Sequence, residues 1–67
     1  MSEIRLNGKC HEVTDGATLG ELLNELGLDA RWVVAELNGE PLSRSRYGST
    51  ALADGDRLEL VRPVAGG

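Results

Sequence analysis

The fold of this chain depends on the stretch TLGELLNELG at residues 18–27, which predicts its main helix. Thr18 can cap the first turn, and Glu21 can bond back to the free N–H of that cap, which is the capping-box pattern. Gly27 suits the left-handed conformation that follows a last turn, whereas Gly20 carries a small cost in helix propensity. Four leucines at spacings of three and four residues form one apolar face: Leu19, Leu22, Leu23 and Leu26.

A β-hairpin is predicted before this helix. The stretch EIRL at residues 3–6 alternates charged and apolar residues, which is the period of a half-buried strand. Asn7-Gly8 favours a two-residue hairpin turn, so residues 9–13 form the returning strand. Asp15-Gly16 then marks the turn that leads into the helix.

A second pair of strands is predicted after the helix. VVAEL at residues 33–37 is short, rich in β-branched residues and followed by the turn dipeptide Asn38-Gly39. Pro41-Leu42 fits an edge strand, where a residue without an N–H is tolerated. Residues 43–50 are polar and typical of a loop.

The last predicted strand is the alternating stretch RLELVR at residues 57–62. The order of elements places one helix on one face of a small mixed sheet with four to five strands, an α+β fold. If the first and last strands lie side by side, they form the parallel centre of the β-grasp (ubiquitin-like) arrangement. Its apolar face would then hold Ile4, Leu6, Leu58 and Leu60. We expect one domain over residues 1–62 and a flexible tail over residues 63–67.

The size and charge of the chain narrow its function. At 67 residues, with 40% hydrophobic and 27% charged residues, it can form one core but has few elements left to wall a deep pocket. We therefore expect a carrier or binding protein and not an enzyme. The net charge of −4 with scattered basic residues disfavours nucleic acid. The absence of a membrane-length apolar run disfavours a membrane partner, and the expected location is the cytoplasm.

Two local patterns resemble reactive or metal sites but are expected to be structural. Cys10 and His11 are adjacent in a strand, so their side chains point to opposite faces and cannot converge on one atom. The chain has no second cysteine or histidine to complete a zinc site. The acidic turn at residues 54–56 has too few oxygen ligands at the right spacing for calcium. We expect no bound metal.

The segment PVAGG at residues 63–67 carries the candidate reactive group. Pro63 cannot donate to a sheet ladder, so we expect the chain to leave the sheet there. Five extended residues reach roughly 16 Å, enough to enter the active site of a partner. Val64, Ala65 and Gly66 would give access to that site, and the carboxyl group of Gly67 would be unhindered because neither final residue has a Cβ.

Three segments and the Gly-Gly end together resemble the ThiS family of thiamine-biosynthesis sulfur carriers. The segments are DGATLGELL at 15–23, VAELNGE at 34–40 and LADGDRLELV at 52–61. The resemblance implies a ubiquitin-like fold and adenylation of Gly67 by an E1-like adenylyltransferase that uses ATP. It also implies conversion to a thiocarboxylate, with sulfur from a cysteine persulfide donor, and transfer to thiazole synthase. No cofactor bound to the chain itself is expected.

Other functions are open at this point. The small subunit of molybdopterin synthase and other β-grasp sulfur donors share the fold and the Gly-Gly end. A ubiquitin-like modifier would instead form isopeptide bonds with lysines, and a simple interaction module would have an inert tail.

Three residues are candidates for contact with a partner. Val61 points away from the predicted apolar face by strand parity. Trp32 either anchors a partner or packs over the end of the helix. Arg44 lies where the ThiS family often has a basic residue.

Overall fold

The computed structural model describes residues 1–62, which form a five-stranded sheet with one helix. Two short 3-10 turns lie at Ala30–Trp32 and Arg44–Arg46. The helix and strands are β1 Ser2–Leu6, β2 Lys9–Val13, α1 Leu19–Glu25, β3 Val34–Leu37, β4 Glu40–Leu42 and β5 Arg57–Val61. Every predicted strand is present, and β5 ends one residue before the predicted boundary.

The sheet has the order β2-β1-β5-β3-β4, with β5 at its centre. β1 and β5 are parallel, with Arg5 opposite Arg57 and Leu6 opposite Leu58. β3 runs antiparallel to β5, and β2 and β4 form the two edges. The predicted parallel centre of a β-grasp fold is therefore confirmed.

Two Asn-Gly turns connect the hairpins. Asn7 and Gly8 have φ angles of 51° and 83°, and Asn38 and Gly39 have φ angles of 53° and 83°. Positive φ at both central residues is the geometry that matches the twist of the flanking strands. Asparagine and glycine adopt it at lower cost than other residues, so the same dipeptide appears in both hairpins.

The helix begins as the sequence predicts. The Glu21 N–H donates to Thr18 Oγ1 at 3.1 Å, and the Thr18 N–H donates to Glu21 Oε1 at 2.9 Å, which completes the capping box. Gly27 follows the last turn with a φ of 73°. Leu26 departs from the predicted face because it caps the helix and is 37% exposed.

Gly20 has a packing role that the propensity argument did not predict. Its N–H donates to the Tyr47 carbonyl oxygen at 2.8 Å. A Cβ at this position would lie 3.3 Å from the Gly48 Cα and 3.4 Å from the Tyr47 oxygen. The glycine lets the first turn of the helix approach the loop, which offsets its cost within the helix.

The core lies between the helix and one face of the sheet. Its buried members are Ile4, Val13, Leu19, Leu22, Leu23, Val33, Ala35, Tyr47, Leu52 and Leu58. Leu6 and Leu60 are half-buried and pack against this cluster, as strand parity predicts. Burial of this apolar surface is the main favourable term in the stability of so small a domain.

Tyr47 corrects the interpretation of residues 43–50 as a polar loop. The ring is only 4% exposed and belongs to the core. Its hydroxyl donates to the Val33 carbonyl at 2.8 Å and accepts from the Ala35 N–H at 3.1 Å. The tyrosine therefore fills the core and also bonds the backbone of β3, as buried tyrosines usually require. No helix within residues 1–62 is long and apolar enough to span a membrane.

Candidate functional site

The candidate site lies at the carboxyl end of β5, which leads into residues 63–67. β5 ends at Val61, and Arg62 is the last described residue. The predicted tail residues Val64, Ala65, Gly66 and Gly67 lie outside the described residues. The part of the site that the structure describes is therefore the end of β5 and the surface around it.

Asn7 forms hydrogen bonds with β5 near the carboxyl end of that strand. The Leu60 N–H donates to Asn7 Oδ1 at 2.8 Å, and Asn7 Nδ2 donates to the Leu60 carbonyl at 3.3 Å. β1 ends at Leu6 and does not extend alongside Leu60. The Asn7 side-chain amide therefore forms the two hydrogen bonds that the backbone of a neighbouring strand would otherwise form. The Asn7-Gly8 dipeptide by itself predicts only the hairpin turn. The signal for its second role is the position of the turn directly after the strand that pairs with β5.

Asn38 plays the matching role where β5 begins. Its Oδ1 accepts from the Arg57 N–H at 2.9 Å, and its Nδ2 donates to Asp56 Oδ1 at 3.0 Å. Asp56 Oδ2 in turn accepts from the Ala53 N–H at 2.8 Å, so the acidic turn is closed by one of its own carboxylates. Both ends of β5 are therefore bonded by the asparagine of a neighbouring hairpin turn.

An apolar row lies on the sheet face that the helix does not cover. Val34 and Val61 are opposite each other on β3 and β5, and the two residues are 47% and 57% exposed. This confirms that Val61 points away from the core. Trp32 precedes Val34 by two residues and is 66% exposed, so most of its surface faces solvent. We call Val34 and Val61 the exit row.

An acidic pair lies beside the exit row on the same face. Glu36 and Glu59 are exposed and directly opposite each other across β3 and β5. Within residues 1–62 neither carboxylate forms an ion pair. Both line a groove of about 150 Å³ together with Gly39 and Arg57. Like charges placed directly opposite each other disfavour a sheet, and the basic side chain of Arg57 shares this groove with the two carboxylates.

Arg44 lies at the 3-10 turn that follows β4. Its Nε donates to the Ala30 carbonyl at 2.9 Å, which joins the two 3-10 turns. In the first of these turns Arg31 bonds Asp29, with 2.7 Å between Nη2 and Oδ2. Hydrogen bonds from the Arg31 side chain and then from its backbone N–H lower the pKa of Asp29 to about 2. These contacts fix the backbone that leads into Trp32.

Cys10 and His11, whose adjacency resembled a reactive site, do not come together in the structure. Cys10 lies opposite Arg5 and is exposed, whereas His11 lies opposite the buried Ile4, so the two side chains occupy different faces. Within residues 1–62 no group of three or more potential metal ligands comes together.

Comparison with known proteins gives a consistent family relationship. The family model of the ThiS family matches residues 4–67. The sulfur carrier protein ThiS of Bacillus subtilis is 35% identical over 65 residues, which cover 96% of this chain and 98% of that protein. The crystal structure of the thiamine biosynthesis protein ThiS from Geobacter metallireducens is similar with a TM-score of 0.82 and 35% identity. That similarity covers 97% of this chain and 99% of the Geobacter chain.

A third relative is much longer than this chain. The thiazole synthase of Paramagnetospirillum magneticum is 40% identical over 62 residues, which cover 92% of this chain but only 19% of that protein. The chain thus spans about a fifth of the length of the thiazole synthases that it matches.

Proposed function

The chain belongs to the ThiS family, and we propose that it acts as the sulfur carrier of thiamine biosynthesis. The observation that carries this proposal is the family match over residues 4–67, which includes both the folded domain and the Gly-Gly end. The similarity to the Bacillus carrier over nearly the full length of both chains supports the same role. On this proposal the chain is a co-substrate of other enzymes and does not itself catalyse a reaction.

The reactive group in this proposal is the carboxylate of Gly67. A carboxylate is a poor acyl donor, so it must first be activated. An E1-like adenylyltransferase would join the carboxylate to the α-phosphate of ATP and release pyrophosphate, which leaves an acyl-adenylate on Gly67. Val64, Ala65 and Gly66 would lie in the channel of that enzyme, where the absence of a Cβ on Gly66 lets the backbone pass.

Sulfur would enter at the activated acyl carbon. The terminal sulfur of a cysteine persulfide on a donor protein attacks this carbon and displaces AMP, which forms an acyl disulfide. A second thiol then attacks the donor cysteine's sulfur. This step releases the Gly67 thiocarboxylate and leaves a disulfide between the donor cysteine and that thiol. The carrier provides the acyl carbon, and its partners provide the nucleotide chemistry and the electrons.

Thiazole synthase is the proposed acceptor of this sulfur. In the Paramagnetospirillum protein, a segment similar to this chain is part of a polypeptide named as a thiazole synthase. A carrier and an acceptor joined in one chain act at high effective concentration. For this chain we propose that the carrier and thiazole synthase meet in the cytoplasm, where ATP is supplied, whether as two proteins or as parts of one polypeptide.

The docking contacts proposed for these partners are Val61, Trp32 and Arg44. All three are exposed and lie toward the end of the fold from which the chain continues. Arg44 is bonded to Ala30 through Nε only, so the other guanidinium nitrogens are proposed to meet a partner at the rim of the contact.

Intact-mass measurement tests the proposal directly. The purified chain is incubated with ATP, the E1-like enzyme and a persulfide donor. We expect a mass gain equal to the exchange of one oxygen for sulfur, located at Gly67 by fragmentation. A matched chain that ends in a Gly67 carboxamide keeps the length but cannot be adenylated, and it should remain unchanged.

Two outcomes would contradict this function. A mass gain that persists in the carboxamide chain would place the sulfur elsewhere. Isopeptide conjugates to lysines, formed in place of the thiocarboxylate, would instead identify a ubiquitin-like modifier.

A further inference from the structure

Both hairpin turns contain an asparagine followed by a glycine, and the side-chain amide of each asparagine is bonded to β5. Asn38 bonds Arg57 twice, since its N–H donates to the Arg57 carbonyl at 2.7 Å and its Oδ1 accepts from the Arg57 N–H at 2.9 Å. Its Nδ2 donates to Asp56 Oδ1 at 3.0 Å. The start of β5 therefore depends on an amide that must keep both its oxygen and its nitrogen.

An Asn-Gly pair can lose ammonia without an enzyme. The Gly39 nitrogen attacks Asn38 Cγ and forms a carbon–nitrogen bond, while Nδ2 departs as ammonia together with the proton from the Gly39 N–H. Water then opens the resulting succinimide ring at either carbonyl, so the product is aspartate or isoaspartate. Glycine favours the attack because it has no Cβ to crowd its nitrogen. Asn38 and Gly39 are exposed, and a Cβ at Gly39 would meet nothing within 4 Å, so water reaches the turn.

The closed turn holds the two reacting atoms apart. Asn38 and Gly39 have φ angles of 53° and 83°, and a turn of this type has a ψ of about +30° at its first central residue. At this ψ the Gly39 nitrogen lies nearly opposite Cβ about the Cα–C bond of Asn38, whereas the five-membered ring needs both on the same side. The reaction therefore requires the hairpin to open, and its rate follows the fraction of molecules that are locally open.

The two hairpins differ in how much structure must break when the turn opens. β3 and β4 are joined by three residue pairs, whereas β1 and β2 are joined by five. The asparagines themselves contribute alike, since Asn7 also forms one backbone hydrogen bond, to Leu58, and two side-chain hydrogen bonds, to Leu60. The β3–β4 hairpin should therefore open more often, which makes Asn38 the faster of the two sites.

Asp56 prevents the modified turn from closing in its native form. Deamidation replaces the Nδ2 donor of Asn38 with a carboxylate oxygen, so two ionised oxygens would face each other at the 3.0 Å now bridged by a proton. The other Asp56 oxygen is already engaged, because it accepts from the Ala53 N–H at 2.8 Å. Isoaspartate would also add one atom to the main chain of a two-residue turn.

We propose that Asn38 is a site of spontaneous deamidation, reached by opening of the β3–β4 hairpin, and that the product carboxylate beside Asp56 leaves the start of β5 loosened. The change runs in one direction, because ammonia is lost and the native contacts of the turn cannot re-form. This inference goes beyond the carrier function and does not depend on it, since it concerns residues of the folded domain alone.

Peptide mapping by mass spectrometry tests the site on protein kept in mildly alkaline buffer. In the folded protein Asn38 should convert at least about tenfold faster than Asn7, because additional residue pairs protect Asn7 from opening. In urea that unfolds the chain, the two rates should agree within about twofold, since opening no longer limits either. Asn24 is the control, because it precedes Glu25 and not a glycine, and it should remain the slowest in both conditions.

Variants test the role of Asp56. N38D introduces the product carboxylate without the change in the main chain, and it should lower the melting temperature by about 4–8 °C. The double variant N38D/D56N exchanges the two groups, so the new amide at position 56 can donate to the new carboxylate at position 38, and most of the loss should be recovered. N7D is the matched control and should cause a smaller decrease, because the Asn7 amide is bonded to backbone groups and not to a carboxylate.

The outcomes that would overturn the proposal are specific. Conversion of Asn7 in the folded protein at a rate equal to or above that of Asn38 would do so, and so would conversion of Asn38 no faster than that of Asn24. An N38D protein as stable as wild type would remove the role of Asp56. If N38D does not fold, the double variant decides, because recovery of the fold supports the proposal and continued failure overturns it.

Discussion

The two faces of the central strand show how one stretch of sequence serves two purposes. Leu58 on the inner face is fully buried, whereas Val61 on the outer face is 57% exposed. The inner face is uniformly apolar and packs against the helix. The outer face pairs Arg5 with Arg57 and Glu36 with Glu59, and such like-charge pairs gain nothing for folding. The comparison indicates that the inner residues determine the fold and that the outer residues are available for recognition.

The largest expected effect is on the inner face. Leu58→Ala would leave a cavity beneath the helix and should lower the free energy of unfolding by about 2–5 kcal/mol. In a domain of this size that loss approaches the whole stability. Urea unfolding followed by circular dichroism measures it. A loss below about 1 kcal/mol would show that the buried inner residue contributes little to stability, contrary to its burial.

Tyr47→Phe examines the polar contact within the same core. The ring stays in place, but the Ala35 N–H loses its acceptor and the Val33 carbonyl loses its donor. We expect a loss of about 1–3 kcal/mol in the free energy of unfolding, because buried groups are left unsatisfied. Unchanged stability would mean that water replaces the hydroxyl.

Asn7→Gly tests the hydrogen bonds that hold the end of β5, the strand that both faces share. Glycine keeps the positive φ of the turn, so the change removes only the two bonds to Leu60. Stability should fall by about 1 kcal/mol, and amide exchange at Leu60 should accelerate. Asn38→Gly is the matched control and should accelerate exchange at Arg57 instead. Equal effects of both variants at Leu60 would refute the local role of Asn7.

Glu59→Gln tests the outer face and should have the opposite sign. Removal of one charge from the Glu36–Glu59 pair should raise the free energy of unfolding by about 0.2–1 kcal/mol. Glu12→Gln should behave similarly, since Glu12 faces Glu3. Thermal unfolding at low salt measures both. A destabilised Glu59→Gln protein would mean that Glu59 contributes to folding, contrary to the distinction drawn between the faces.

The smallest effect concerns pH and the turn before Trp32. Because hydrogen bonds from Arg31 lower the folded-state pKa of Asp29 to about 2, this carboxylate stabilises the fold above its ordinary pKa. That contribution should disappear as the pH falls from about 4 toward 2. The melting temperature of Asp29→Asn should therefore change less over this range than that of wild type. A control with Glu25→Gln should follow wild type.

The sequence predicted the elements that depend on local patterns. Both Asn-Gly dipeptides require the turns that they form, and Thr18 with Glu21 specifies the start of the helix. The turns and the start of the helix are encoded by neighbours along the chain, so a single sequence was sufficient. The parallel centre was predicted on the condition that the first and last strands lie side by side, and the structure meets that condition.

Other features depend on pairs that are distant in sequence. Tyr47 lies in a polar segment without periodicity, so its burial could not be predicted from the pattern. The need for glycine at position 20 comes from the approach of Gly48. The Glu36–Glu59 pair depends on the register between β3 and β5. The expected role of Gly67 stays a prediction, since that residue lies outside the described range.

The parallel pairing of β1 and β5 has a practical consequence for work with the purified protein. Arg5 lies level with Arg57, so Ser2 lies seven residues of extended chain away from the level of Val61, a separation of roughly 23 Å. Met1 is 74% exposed at that far end. A fluorophore, affinity tag or surface tether attached at Met1 would therefore leave the exit row accessible.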